Sequence, residues 1–508
     1  MNKKAVIIWA WFGWLGSAIL LARAWYDVTV VEKNDKVWGR AGLLERDGYR
    51  WDMWPSRYLM PDAFDRYFTA IGRKVEDYLD LQKLEPSYRV FFKQGKQWPS
   101  LLQGYQTLKN GSSYLDLYAD VDQAAQTFEA IEQGSGNKLR AYLKSAAYQY
   151  SIAMEKFVFK NFDSIWDFMT PQLAIEGMQL NVFTKLYNYV SRFVKNENLK
   201  KLLMYPSVFL GTSPYETPAL FNIMSHVDFN QWVFYPQWWI HEIPKALYQI
   251  ALEEGVKFEF NAEVEKIIVE DKKVIWVQIL LWSIMEAEII ISNADMRHTE
   301  TQLLELSQQT YPESYWAKQV ISPSWFILYL WVDGELPQLK HHTLVFSDDR
   351  RGWFDQIFKD PQRPQDPNYY ICNPSKTDST VAPAGKENLF VLVPIAPWLE
   401  STPESLQAYA DQIIADIAYN CNIPDLQDRI EVSQIFSVPQ FEEYYNAYKG
   451  TALWLAHTFF QSAVRRPANY SKKVKGLYYA GGYTTPGIGM PMCLISAMMV
   501  ADRVQKNQ

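Results

Sequence analysis

Trp9, Trp11 and Trp14 stand at spacings i, i+2 and i+5 in the stretch VIIWAWFGWLGSAIL, Val6 to Leu20. Those are the spacings of G-x-G-x-x-G, a turn whose backbone N–H groups meet a pyrophosphate at a helix N-terminus. Eighteen positions past Trp14, after the β-branched run DVTVV, comes Glu32. A dinucleotide-binding βαβ unit places a carboxylate there to hydrogen-bond a ribose hydroxyl. The spacing fits this chemistry and the residue type does not. The first glycine of such a fingerprint makes the tight turn, the second lets backbone approach the phosphates, and the third lets helix and strand pack closely. An indole needs room that none of the three slots has.

The same stretch has a second reading. Ala5 to Trp25 is 21 residues with one charge, Arg23, and it follows Lys3 and Lys4, the profile of a membrane helix or signal anchor. An anchor does not call for a β-branched strand ending in an acid at the ribose distance. The reading adopted is therefore strand (Ala5 to Ile8), turn (Trp9 to Trp14) and helix (Leu15 to about Ala24). With that reading no transmembrane segment or signal peptide is expected.

Composition bears on the tryptophans. The 508 residues hold 23 Gly and 20 Trp, against roughly 36 Gly at an average usage of about 7%. The glycine deficit is about the size of the tryptophan excess. Tryptophan also gathers in turns: Trp25 at a helix end, where Gly is the usual residue, Trp38 in KVWGRAG, and Trp238 and Trp239 in YPQWWIHE. A tryptophan-rich core would scatter over apolar periodic positions instead. The pattern predicts that many of these tryptophans stand in for glycine. A codon that some lineages read as Gly and others as Trp (UGA), translated by the wrong table, would produce it; deliberate substitution is the alternative.

A net charge of −7 leaves no basic footprint, so a nucleic-acid partner is not expected. Cys372, Cys421 and Cys493 are far apart and form no metal spacing, which suits a reduced cytosolic context. His341–His342 has no Cys or carboxylate at ligand spacing, so a surface or packing role is expected and no metal. Aromatic residues, 16% of the chain, suit an apolar pocket. Residues 61–230 read as mostly helical from the 3.6-type spacing of SYLDLYADVDQAAQTFEAIEQG, KLRAYLKSAAYQYSIAMEKFVF and FTKLYNYVSRFVKNENLKKLLMYPSVFL. The last carries Lys185, Arg192, Lys195, Lys200 and Lys201, either an interfacial membrane face or a solvated one. Strands are predicted at VKFEF, VEKIIVE, AEIIISNAD, WFILYLWVDG, HTLVFS and NLFVLVPIA, and a helix at about 403–419. The stretch GLYYAGGYTTPGIGMPMCLISAMMVADRV reads as a strand, a Gly/Pro-rich turn and a helix beginning near Gly489 or Met490, a second place for backbone N–H groups to meet a ligand.

These segments carry a resemblance. VIIWAWFGWLG is similar to VIIGAGFGGLG of the bacterial carotenoid desaturases, the phytoene desaturase family of FAD-dependent oxidoreductases. VVEKNDKVWGRAG, GYRWDMWPSRYLMPDAF, FYPQWWIHEIPKAL, ISNAD, HHTLVFSDD, NPSKTDSTVAPAG and YTTPGIGMPMCLISA resemble that family's motifs in order, nearly end to end. Trp9, Trp11, Trp14, Trp25, Trp38, Trp54, Trp232, Trp238, Trp239, Trp276, Trp331, Trp398 and Trp454 fall where the family has glycine. Trp51 falls where it has an aromatic, and Trp98, Trp166 and Trp316 show no glycine pattern.

The resemblance implies an α/β fold, α+β overall. A Rossmann-like FAD-binding domain (1–60, 231–300 and 456–508) would join a mostly helical, membrane-associating cap (61–230) and a substrate-binding β-sheet region (301–455). It implies desaturation of a long isoprenoid polyene such as phytoene. The FAD pyrophosphate would lie on Trp9, Trp11, Phe12, Gly13 and Trp14, and the adenosine ribose on Glu32 with Lys33. Trp38, Gly39 and Arg40 would lie along the phosphates or flavin, with a structural salt bridge as the other role for Arg40 and Asp52. Asp52, Trp54, Pro55 and Ser56 would line the flavin side. Val264 would meet the adenine, and Gly482, Gly489 and Met490 the flavin's pyrimidine edge. No catalytic base is identified. The substrate is insoluble in water, so the expected place is cytoplasmic, peripheral on the inner face of the cell membrane. The terminal electron acceptor, quinone or oxygen, stays open. Rivals are a related FAD carotenoid isomerase, saturase or amine-oxidase-like enzyme, and a flavin-free lipid binder in which the fingerprint tryptophans are literal.

Overall fold

The computed structural model describes residues 2–9, 11–37, 39–93, 105–108, 110–164, 181–280, 283–349 and 351–507. Trp38, a fingerprint position, lies outside them, as do Trp98 and Trp166. Strand β1 (Lys4–Ile8) is buried from Ala5 onward, as a parallel strand covered on both faces should be. Helix α1 (Phe12–Arg23) begins three residues earlier than the expected Leu15. The Trp11 carbonyl already accepts the N–H groups of Trp14 and Leu15, so the first turn closes inside the fingerprint. Strand β2 (Asp27–Val31) returns parallel to β1, with Ile7 opposite Val30.

Helix α2 (Glu242–Glu253) leads into strand β3 (Lys257–Glu259). Strand β4 (Ile289–Ser292) follows, then strand β5 (Leu477–Tyr479) and helix α3 (Met490–Lys506). The five strands form one parallel sheet in the order β3-β2-β1-β4-β5. Helix α1 packs between α2 and α3. A Cβ on Gly16 would lie 3.0 Å from the Ala497 Cβ, so glycine sets how closely α1 and α3 cross.

A second sheet has eight strands, in the order Ile430–Phe436, Ser324–Asp333, Lys386–Ile395, Tyr369–Cys372, His342–Phe346, Tyr88–Phe92, Ser113–Leu117, Tyr105–Thr107. Its one parallel pairing among the described residues joins His342–Phe346 to Tyr88–Phe92. The segment 61–230 is therefore not helical throughout. SYLDL is a strand because Tyr88–Phe92 pairs with it. Within SYLDLYADVDQAAQTFEAIEQG the helical period starts only at Val121, where the Asp120 side chain accepts the N–H groups of Asp122 and Gln123. FTKLYNYVSRFVKNENLKKLLMYPSVFL likewise breaks into Leu186–Val190, Glu197–Met204 and Tyr205–Leu210, the second capped by Asn196.

Backbone conformation divides the tryptophans. Trp9, Trp25, Trp232, Trp238, Trp239, Trp398 and Trp454 take φ between 55° and 91°. Among the described residues, ten other non-glycine positions share that region, and none is Phe, Tyr, Val, Ile or Leu. The chain has 27 Phe and 32 Tyr, so bulk aromatics as a class avoid it. Left-handed backbone costs an L-residue about 1–2 kcal/mol and glycine nothing. Trp11 (φ −148°) is extended, Trp14 lies in α1, and Trp276 and Trp331 lie in strands. At those positions any demand for glycine is one of space.

Candidate cofactor seat and apolar cavity

Glu32 leaves β2 fully buried, its Oε1 accepting the Asn34 N–H at 2.8 Å and Asn34 Nδ2 at 2.7 Å. The Lys33 ammonium donates to the Glu443 carbonyl (2.8 Å) and Asn446 Oδ1 (3.1 Å) and lies 6.0 Å from the centre of the Trp9 ring. Trp9, Lys33 and Val264 line a cavity of about 20 Å³, room for about one water. Trp11, Trp54, Pro55, Ser56, Gly489 and Met490 line a second cavity of about 770 Å³. The structure thus sorts the fingerprint positions onto two separate spaces.

A file of rings and one guanidinium runs from the wall of the small cavity to the wall of the large one. Trp9 stacks on Tyr445 (6.2 Å). The Arg40 guanidinium lies 5.1 Å from the Tyr445 ring centre and 4.8 Å from that of Trp454. Trp454 in turn lies 5.2 Å from Trp11. A Cβ on Gly482 would meet the Trp454 ring at 2.2 Å, so this indole occupies the space above a glycine named for the flavin edge. The indole nitrogens of Trp9, Trp11 and Trp14 are buried without a hydrogen-bond partner among the described residues, each an orphan donor costing about 1–3 kcal/mol. A dinucleotide requires the two spaces to be one groove. The residues as written do not fit FAD, while the acid, the strand ends and the helix N-terminus around them keep its pattern.

The remaining positions are structural in the free protein. Arg40 is buried and donates to the Ala452 carbonyl (2.6 Å) and the Thr451 carbonyl (3.3 Å); burial lowers its pKa. The Gly39 carbonyl accepts from Tyr445 Oη at 3.4 Å. Phe12 is buried edge-on to Trp11, and the Gly13 carbonyl accepts from Ser17 Oγ. A Cβ on Gly13 would stand 2.6 Å from Asn293 Oδ1. Gly489, at φ 114°, opens α3. Asp52 accepts the N–H groups of Ile240 (3.1 Å) and His241 (2.9 Å) just before α2. Of the two readings for Arg40 and Asp52, the salt bridge has no counterpart among the described residues; both side chains hold backbone.

Burial pushes the Asp52 carboxyl up from 3.8 to about 7, against its two backbone hydrogen bonds. The fold therefore favours the neutral acid, whose contribution is full below pH 3.8 and lost as pH rises through about 7. Asp52→Asn should gain thermal midpoint on the parent as pH is raised from about 4 to about 7. A difference that stays constant over that window would refute the assignment.

His341 and His342 are buried, which removes the surface role; they pack. His341 Nδ1 is 2.7 Å from Thr377 Oγ1, and His342 Nδ1 is 2.7 Å from Tyr370 Oη. Burial lowers His341 to about 3 and His342 well below its usual range, so both imidazoles are neutral. Together with Cys372 their ligand atoms lie within 4.8 Å of one another, the one such grouping among the described residues. Sequence spacing missed Tyr445 and the Thr451–Ala452 carbonyls, because partners so far apart in the chain leave no local signal.

The sequence signature described as flavin containing amine oxidoreductase matches residues 15–505. The carotenoid 3,4-desaturase of Haloarcula japonica is 42% identical over 504 residues, covering 99% of this chain and 98% of that one. The zeta-carotene-forming phytoene desaturase of Myxococcus xanthus is 31% identical, covering 99% and 94%. Among solved structures, an oxidoreductase from Methanosarcina mazei superposes with a TM-score of 0.65 at 16% identity, covering 98% of this chain and all of that one. The chain belongs to the flavin-containing amine oxidoreductases, among the carotenoid desaturases of that family.

Proposed function

We propose that this protein is an FAD-dependent desaturase of a long isoprenoid polyene in carotenoid biosynthesis, with its flavin seat complete when glycine occupies the fingerprint positions. Flavin is the family's cofactor, and it supplies the two-electron acceptor that removing two hydrogens from neighbouring carbons requires. The observation that carries the reading is the large cavity. Its wall includes seat residues Trp11, Trp54 and Gly489 and also residues open to solvent, Phe183 and Arg465. It therefore runs from the seat to the surface. At about 770 Å³ and lined mostly by aromatic and aliphatic side chains, it suits a long apolar ligand. The chain's own part is to align the polyene and exclude water. A lengthened chromophore in the product, seen as a red shift, supports desaturation; an unchanged count of double bonds points to isomerisation.

The same cavity supports a peripheral position on the inner face of the cell membrane. No helix among the described residues is long and apolar enough to cross a bilayer. Phe183 (82% exposed) and Phe460 (75% exposed) flank Phe459, whose ring centre is 5.8 Å and 5.3 Å from theirs. Arg465 lies over Phe459 and Phe460. Exposed rings beside a cation suit an anionic lipid surface. The basic run at 185–201 is partly engaged within the protein: Lys185 pairs with Glu216, Lys200 with Glu197, and Lys201 donates to the Ser347 carbonyl. Replacing Phe183 and Phe460 by Ser should weaken binding to anionic vesicles at least about tenfold. Unchanged sedimentation with vesicles would rule this surface out.

A further inference from the structure

The cavity wall carries one charge network that neither the seat nor the rim uses. Three described cations line the wall. Lys160 and Arg465 are exposed, whereas Arg57 is half-buried. Its guanidinium is enclosed by rings, 3.8 Å from the centre of Phe209, 4.6 Å from Tyr370 and 5.6 Å from Tyr88. Arg57 Nη1 donates to Tyr88 Oη at 3.3 Å. Tyr88 Oη donates to Asp228 Oδ1 at 3.1 Å, and Tyr205 Oη donates to Asp228 Oδ2 at 2.7 Å. Asp228 is buried behind the wall. The cation thus reaches its carboxylate through a phenol, and Tyr88 is its one hydrogen-bond partner among the described residues.

A guanidinium has five N–H donors. With one engaged, four remain, on a side chain that lines the cavity. A pure hydrocarbon in the cavity would strip water from them and return no hydrogen bond, which is costly for a charged group. A substrate oxygen would return one. We propose that Arg57, backed by Tyr88 and Asp228, holds a hydroxyl or carbonyl oxygen at one end of the polyene. The reacting bond then lies close to that end. Trp54, Pro55 and Ser56, the flavin-side residues, immediately precede Arg57 on the same wall, so the held oxygen and the reacting carbons stand near one another along the substrate. This rests on the cavity being the polyene site.

The test is binding, read by quenching of the protein's aromatic fluorescence, and needs no turnover. The probes are an acyclic polyene with one terminal hydroxyl and the same polyene without it. A hydrogen bond to a charged donor is worth about 1.5–3 kcal/mol, so the parent should prefer the hydroxylated polyene at least about tenfold. Arg57→Met should bring the two affinities together, and Arg57→Lys, which keeps the charge, should retain part of the preference. Equal affinities in the parent, or a preference that survives in Arg57→Met, would overturn the proposal. Binding of neither polyene would overturn the cavity reading beneath it, a result distinct from parity.

Discussion

A chain with glycine at positions 9, 11, 14 and 454 should purify yellow, with FAD bound, and the chain with tryptophan there should purify colourless. Both cavities already exist, and the file Trp9–Tyr445–Arg40–Trp454–Trp11 is what divides them. Removing three of its indoles should join the small space at Lys33 and Val264 to the large one at Trp54 and Gly489. Removing Trp14, fully buried in α1, lets the helix approach β1 as a dinucleotide fold requires. The expected change is from no measurable FAD to a full complement, read by absorbance and by the flavin's release on denaturation. A colourless glycine form would show that the seat fails for another reason. The native protein gives an independent check: its tryptic fragment Ala5 to Arg23 should carry glycine masses at 9, 11 and 14.

Trp25→Gly with Trp238→Gly should stabilise the chain by roughly 1–2 kcal/mol. Both residues are exposed, 80% and 53%, and both sit in left-handed backbone, at φ 66° and 65°. Relief of that conformation is worth about 1–2 kcal/mol each, of which glycine's greater freedom in the unfolded chain takes back about 0.5–1. The paired alanine variant keeps the Cβ and should gain little. Thermal midpoints that rise equally for glycine and alanine would assign the effect to lost surface hydrophobicity instead. At the same net value of roughly 0.5–1 kcal/mol each, seven such tryptophans together approach the lower end of a domain's whole stability, about 5–15 kcal/mol. A functional protein therefore has reason to carry glycine there.

The βαβ unit was legible because each clue to it is local. The β-branched runs of β1 and β2, the fingerprint spacing and the acid at Glu32 all fall within the first 32 residues. The strand at Ser113–Leu117 was not, because five residues can carry either period and the partner strand decides. The Arg40 cluster was hidden for a different reason. It joins a residue at 40 to carbonyls at 451 and 452, and an arginine beside aromatic rings has no signature in sequence. Arg57, Tyr88, Tyr205 and Asp228 come from separate stretches and meet only through the fold. The tryptophan pattern could be read early because glycine positions are set by backbone geometry, and the left-handed φ values then fall on seven of the suspected sites.

The parallel sheet takes β1 and β2 from the start of the chain and β5 from its far end, and α3 covers α1. Protein synthesis runs in one direction, so α1 emerges from the ribosome long before the helix that shields it. Until α3 is made, the face of α1 at Gly13 and Gly16, which α3 covers, lacks its final partner, the condition under which nascent chains depend on chaperones. Gly489 and α3, proposed for the flavin seat, are made after every strand of that sheet. A seat that uses them cannot close while only the sheet's first strands and α1 have been made.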